Sequence, residues 1–183
     1  MTRTGGGGDP VWSAIATRRA IRAFADRPLE PAHLDRILNA GRRAGSSKNQ
    51  QRWAFIAVQD RAHLAELATL GPYAGHIAGA AVAIALVTPE PRDAGQPLSV
   101  MWDLGGAAAQ MMVVAWELGI GSCPATVYEH SLARDLLGLP EGMHCEYILS
   151  FGYPADPSVL TAPPARGGRR SQDDVLHHER WEA

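Results

Sequence analysis

Lysine is nearly missing from these 183 residues: of 17 basic side chains only Lys48 is a lysine, and the rest are arginine. The formal charge is −2 and the pI about 6.4, which excludes a protein built to wrap a polyanion, so nucleic acid is not an expected partner. Cysteine is equally scarce. Cys123 and Cys145 cannot make a disulfide framework, and a reducing cytoplasm is the natural setting. No apolar run approaches the ~20 residues of a membrane helix, and no apolar export segment is expected at the start. The G-x-G-x-x-G and Walker cradles, G-x-S-x-G, H-E-x-x-H and paired C-x-x-C motifs are all absent, which removes the usual nucleotide, serine-hydrolase and zinc signatures. His177-His178-Glu179 is the one metal-like run. It reads as surface, and no metal is expected.

What is present is an ordinary globular mix, 46% hydrophobic and 20% charged, long enough for one domain and an arm. Residues 1–9, with four glycines in a row, read as a flexible tail. Helices are expected over 10–18, 31–44, 63–70, 98–118 and 130–137, the last closed by Gly138. Strands are expected over 53–58, 80–88 and 144–152, with 122–128 as strand or turn. The 80–88 strand is apolar nearly throughout, the pattern of burial on both faces. Residues 89–97 form a loop, and 153–183, rich in Pro, Gly and Arg, have no core-forming period. Helices first and strands interspersed, without regular βαβ alternation, make an α+β sandwich rather than a Rossmann domain.

Two polar stretches stand out against this frame. Thr17 to Phe24 carries Arg18, Arg19 and Arg22 just past a helix end, and Ser46 to Trp53 is dense in hydroxyl and amide groups. Guanidiniums suit a small anion, and the amides suit a heterocycle edged with carbonyls and N–H groups. Cys123 reads as a small buried thiol.

Together, Arg18-Arg19-x-x-Arg22-x-Phe24 and Ala44-Gly45-Ser46-Ser47-x-Asn49-x-Gln51-x-Trp53 resemble the paired signature of the nitroreductase family of FMN-dependent oxidoreductases. Ala108-Ala109-Gln110 through Leu118 to Pro124 is similar to that family's long central helix and following turn. Gly167 to Trp181 resembles the C-terminal arm of its smaller members. Departures are Gly45 and Arg52, where proline is common, Ala20, where a phosphate-bonding serine is frequent, and Ser171-Gln172 in place of a common Pro-Leu.

The resemblance implies a sandwich with a central, mainly antiparallel sheet flanked by helices. It implies an intertwined homodimer with an FMN-binding domain over 10–152 and an arm, 153–183, exchanged with the partner. Carried over by residue, Arg18, Arg19 and Arg22 meet the FMN phosphate, ribityl chain and pyrimidine edge, with Ala20 beside the phosphate. Ser46, Ser47 and Asn49 come from the other subunit. Pro124, Ala125 and Thr126 lie behind the ring, with Thr126 as the backbone donor near flavin N5, and Arg169 or Arg170 holds the phosphate. Arg22 opposes the charge that builds on the reduced ring. No protein acid or base is then required: NADH or NADPH delivers hydride through N5 to an electron-poor acceptor such as a nitroaromatic or quinone. A flavin-dependent dehydrogenase or desaturase that uses oxygen, and a flavin-binding protein without turnover, are the alternatives.

Overall fold

The computed structural model describes residues 10–91, 99–162 and 168–181. The expected tail 1–9, most of the expected loop at 89–97 and the start of the Gly167–Arg170 run lie outside them. The elements in chain order are α1 (Pro10–Thr17), α2 (Pro31–Arg42), β1 (Ala54–Val58), α3 (Arg61–Leu67), β2 (Val82–Pro89), α4 (Ser99–Glu117), β3 (Gly121–Thr126), α5 (His130–Leu137) and β4 (Met143–Gly152). Short 3-10 turns occupy Ser47–Asn49, Gly75–Gly79 and Pro157–Leu160.

Local chemistry sets the boundaries. Pro31 at the first turn of α2 needs no intrahelical N–H partner. The Asp60 carboxylate accepts from the backbone N–H of His63 at 2.9 Å and caps α3. Gly138, with φ at 60°, supplies the left-handed residue that closes α5.

The four strands form one antiparallel sheet in the order β1-β2-β4-β3, as the α+β reading expects. β2 is central, and its alternation divides the core in two. Val82, Ile84 and Leu86 point to one face with Ile37, Leu104 and Met111 of α2 and α4. Ala83, Ala85 and Val87 point to the other with Leu64, Leu67 and Leu137 of α3 and α5. Each of the buried Val, Leu, Ile and Met chains among these is worth roughly 1.5–3 kcal/mol of burial and the alanines less, so β2 must be apolar on both sides. The Leu86/Val87 step opposes Tyr147 and Cys145, which leaves Glu146 as the extra residue of a β-bulge. Among the described residues no helix is long and apolar enough to cross a membrane.

Residues beyond β4 begin by pairing within the chain. Ala25 donates to the Tyr153 carbonyl at 2.8 Å and Ala155 to that of Ala23 at 3.0 Å, while Val159 and Leu160 pack with Ala14, Ile21 and Trp116.

Candidate functional site

The segment after α1 is seated by two missing side chains. Gly121 and Gly152 are cross-strand partners at the end of the β3–β4 ladder. A Cβ on Gly121 would stand 2.6 Å from Cβ of Ile21, and one on Gly152 would stand 2.8 Å from the Phe24 ring. Both distances are below any real contact, so only glycine lets residues 20–24 lie flat on the sheet end. Ile21 donates to the Ser122 carbonyl at 3.0 Å, and Ala20 bridges Ser122 in parallel sense. The arginines are distributed around this seat. Arg18, half-buried, reaches Sδ of Met112 on α4 at 3.8 Å. Arg19, also half-buried, lies 5.9 Å over the Trp116 ring, a cation–π contact. Arg22 is exposed, and its charge is felt by His76 and Cys123.

β3 is the edge strand, and residues 20–21 cover only its first part. The ladder phase says which groups beyond that remain outward. Val127 donates inward to Glu146 at 2.9 Å, whereas the Ser122 carbonyl faces out to Ile21. By alternation Ala125 turns its N–H inward, and Pro124 and Thr126 face the outer edge, where Gly71 lies against the Thr126 carbonyl. Pro124 has no N–H, so Thr126 is the residue of this stretch whose donor points outward. Residues 124–126, expected as strand or turn, are strand; an edge position tolerates a proline there. Beside them Leu86, Met101, Leu104, Ala108, Met112 and Tyr147 help line an apolar cavity of about 100 Å³.

Ser46, Ser47 and Asn49 belong to a differently anchored loop. The backbone N–H of Ser47 donates to Oδ2 of the buried Asp103 at 2.9 Å, and Ser46 Oγ accepts from the N–H of Gln51 at 2.9 Å. Lys48, Asn49 and Gln51 have φ of 51°, 55° and 49°. Three non-glycine residues in the left-handed region cost free energy that a plain connection has no reason to hold. Asp103 and Met112, the α4 contacts of this loop and of Arg18, are nine positions apart. That is about 13.5 Å along the axis and half a turn around it. The two flank the core-facing stripe on opposite sides, so one chain does not bring Ser46, Ser47 and Asn49 to its own Arg18.

Beneath Arg22 runs a buried polar chain that the sequence does not announce. Ser150 Oγ donates to the Cys123 carbonyl at 3.1 Å and so accepts from Nδ1 of His76 at 2.8 Å. That assigns the proton of a neutral His76 to Nδ1 and leaves Nε2 buried without a partner among the described residues. Burial, and then the charge of Arg22, hold the His76 pKa below its ordinary value. Burial raises the Cys123 thiol, with Arg22 opposing in part, and pushes Cys145 up to about 12. Cys123 is a buried free thiol, as its sequence context suggests.

In the arm, Arg169 and Arg170 are exposed. Arg170 donates to the Asp174 carbonyl, and Ser171 and Asp174 exchange hydrogen bonds at 3.1 and 3.2 Å. His177 stacks on Trp181 at 4.1 Å, and Val175, Leu176 and Trp181 lie exposed on the single chain. Asp103, His76, the glycine pair and a His130–His144–Glu146 cluster all escape sequence reading. Only His144-x-Glu146, spaced for one face of a strand, leaves a signal there.

The sequence profile of the nitroreductase family matches residues 15–71 and 69–153. A protein of Archaeoglobus fulgidus named "Putative NADH dehydrogenase/NAD(P)H nitroreductase" is 32% identical over 91% of this chain and 96% of its own. One of the same name from Methanothermobacter thermautotrophicus is 30% identical over 93% of this chain and 87% of its own. An FMN-dependent nitroreductase of Clostridium difficile superposes with a TM-score of 0.77 at 26% identity, covering 93% of this chain and 99% of that one.

Proposed function

The chain belongs to the nitroreductase family, and from that membership we propose that it is an FMN-dependent oxidoreductase acting as a homodimer. It moves a hydride from NADH or NADPH to a small electron-poor acceptor, a nitroaromatic or quinone in kind. The observation that carries this reading is the short uncovered part of the β3 edge at Pro124 and Thr126, bounded by residues 20–21 on one side and by Gly71 on the other. There the Thr126 N–H points outward beside an apolar wall and a segment bearing three arginines.

The residues fit the cofactor. A flat aromatic ring needs an apolar floor and edge donors, and Met112, Pro124 and the Thr126 N–H supply these. A phosphate needs guanidinium forks, which Arg18 and Arg19 offer from the N-terminal segment and Arg169 or Arg170 from the arm. FMN, when bound, supplies the two-electron chemistry linking NAD(P)H to the acceptor. The chain's own work is orientation and charge. With FMN bound, Thr126 would donate toward the ring's reacting edge, and Arg22 would place positive charge where electron density accumulates. Ala20, with no hydroxyl, leaves phosphate recognition to the arginines and to backbone N–H groups.

Two features support the dimer. The cavity of about 100 Å³ falls well short of the roughly 300–1,000 Å³ of a ligand pocket, so one chain provides one wall. Ser46, Ser47 and Asn49 sit on the wrong side of α4 to close that wall, and a partner brings its own copies. Val11, Trp12 and Ile15 leave α1 apolar and exposed. With Val175, Leu176 and Trp181 they form surfaces that contact between residues 168–181 and a partner would bury, whereas residues 153–160 pack on their own chain and not on a partner.

Absorbance of the purified protein tests the proposal. It should carry flavin that heat releases as FMN and that bleaches anaerobically with NADH or NADPH. FAD, or a colourless protein that ignores added FMN, overturns it. Truncation after Ala162, which keeps the residues that pack on Ala14, Ile21 and Trp116, should lose both FMN and dimer, whereas Arg169→Ala with Arg170→Ala should lose FMN affinity and stay dimeric.

A further inference from the structure

At the end of the sheet remote from Gly121 and Gly152, where β4 begins, His130, His144 and Glu146 bring three ligand atoms within 4.8 Å of one another. We propose that these three side chains form a binding site for a borderline divalent transition metal, zinc in the first instance. Glu90 acts as the outer partner of His144. None of the four residues belongs to the flavin reading.

The geometry carries the assignment. Nε2 of the buried His144 lies 2.7 Å from Oε2 of Glu146, and Nε2 of His130 lies 4.0 Å from the same oxygen. Ligand atoms about 2.0–2.1 Å from a tetrahedral zinc stand about 3.3 Å apart. Small rotations about side-chain torsions therefore take this cluster to a coordination sphere. The other nitrogen of His144, Nδ1, lies 3.0 Å from Oε2 of Glu90. A ligating histidine characteristically donates its second N–H to a carboxylate, which fixes the tautomer and leaves the lone pair on the metal side. Here that arrangement is already built. Nδ1 of His130 is buried with no hydrogen-bond partner among the described residues, so its ring gives up no bond at that nitrogen in turning toward a cation.

Backbone and charge agree. Glu146 is the extra residue of the β2–β4 bulge, a position released from ladder register whose side chain can be re-aimed. His130 opens α5, and its ring sits 4.8 Å from that of His144. The Glu146 carboxylate and two imidazoles face one point, the Glu90 carboxylate stands behind His144, and a divalent cation balances the two negative charges. Arg134, the one guanidinium lining the adjoining cavity among the described residues, is turned away. It donates to the carbonyls of Pro140 at 2.9 Å and Met143 at 3.2 Å. That cavity, about 150 Å³, has room for water at a fourth position. Two imidazoles and one carboxylate with an open place suit zinc, cobalt or ferrous iron rather than magnesium or calcium.

The test uses untagged full-length protein, stripped with chelator and titrated with Co2+ while visible d–d absorption is followed. One equivalent per chain should bind with a tetrahedral or five-coordinate spectrum, Zn2+ should displace it, and Zn2+ should raise the Tm. His130→Ala, at a partly exposed position, should fold normally and bind at least tenfold more weakly. His144→Gln should abolish binding, and Glu90→Gln, which leaves all three ligands in place, should weaken it by roughly 10–100-fold. His177→Ala with His178→Ala should change nothing. Absence of a cobalt spectrum, binding that survives both His130→Ala and Glu90→Gln, or binding lost only with His177 and His178 would overturn the site.

Discussion

The backbone N–H of Ser47 and the carboxylate of Asp103 meet at 2.9 Å, tying a loop of left-handed residues to the side of the central helix. Asp103 is only 9% exposed, so the bond is a charge-assisted contact in a poorly hydrated place, worth roughly 1.5–3 kcal/mol. Without it, Lys48, Asn49 and Gln51 have less to hold their strained torsions. Asp103→Ala should lower stability by about 1–3 kcal/mol and weaken FMN binding at least tenfold. Denaturant titration and flavin fluorescence check the two effects. Unchanged FMN affinity would detach the loop from the site.

The glycine pair gives a different kind of prediction. Gly152→Ala forces a methyl group to within 2.8 Å of the Phe24 ring, and the ring must move with the strand it rides on. Overpacking of this sort costs typically 1–3 kcal/mol. Because Arg18 to Arg22 ride on the same segment, FMN affinity should fall with stability, and Phe24→Leu in the same chain should restore part of both. Stability lost without any change in FMN affinity would show that the seat serves packing alone.

Arg22 faces solvent, and in the proposed site it would meet a charge that grows mainly on reduction. Arg22→Ala should therefore lower the flavin potential and slow reduction by NAD(P)H more than it weakens FMN binding. Dye equilibration measures the potential. Simple loss of cofactor at constant potential would move Arg22 to a phosphate or structural role.

Acid should destabilise the protein through His76. Its pKa is held below the ordinary 6.5 by burial and then by Arg22. As pH falls through that ordinary value the unfolded chain takes up a proton that the native site refuses, so stability falls with pH. His76→Gln removes the difference. Denaturation midpoints between roughly pH 8 and 5 should decline less steeply in the variant, and parallel declines would assign the acid sensitivity elsewhere.

The elements were largely legible in the sequence, and for physical reasons. β2 announces itself because burial on both faces demands an unbroken apolar run, and α5 because Gly138 ends it in the left-handed region. The 3-10 turns at Ser47–Asn49 and Gly75–Gly79 left no trace, since three to five residues carry no measurable period. Asp103 was hidden inside the helix that reads as the hydrophobic spine, where a single carboxylate resembles a solvated position. Arg22 and Cys123 are over a hundred positions apart, and spacing says nothing of their nearness. The glycine seat that brings them to one strand edge acts through what is absent from two residues. Resemblance to a family joined those segments on paper, and the fold supplies the physical joint for Arg18 to Arg22 and β3 alone.

Pro124 has a consequence for how the molecule behaves among its own copies. A strand edge left bare for a ligand is also a template on which another extended chain could pair, and repeated pairing leads to aggregation. With proline in the middle of the exposed stretch, an incoming strand finds a gap in the row of donors and a ring in its path. In the proposed site a small planar molecule would need only the Thr126 N–H and would not be hindered. The same residue would then leave the edge open to a cofactor while closing it to strand pairing.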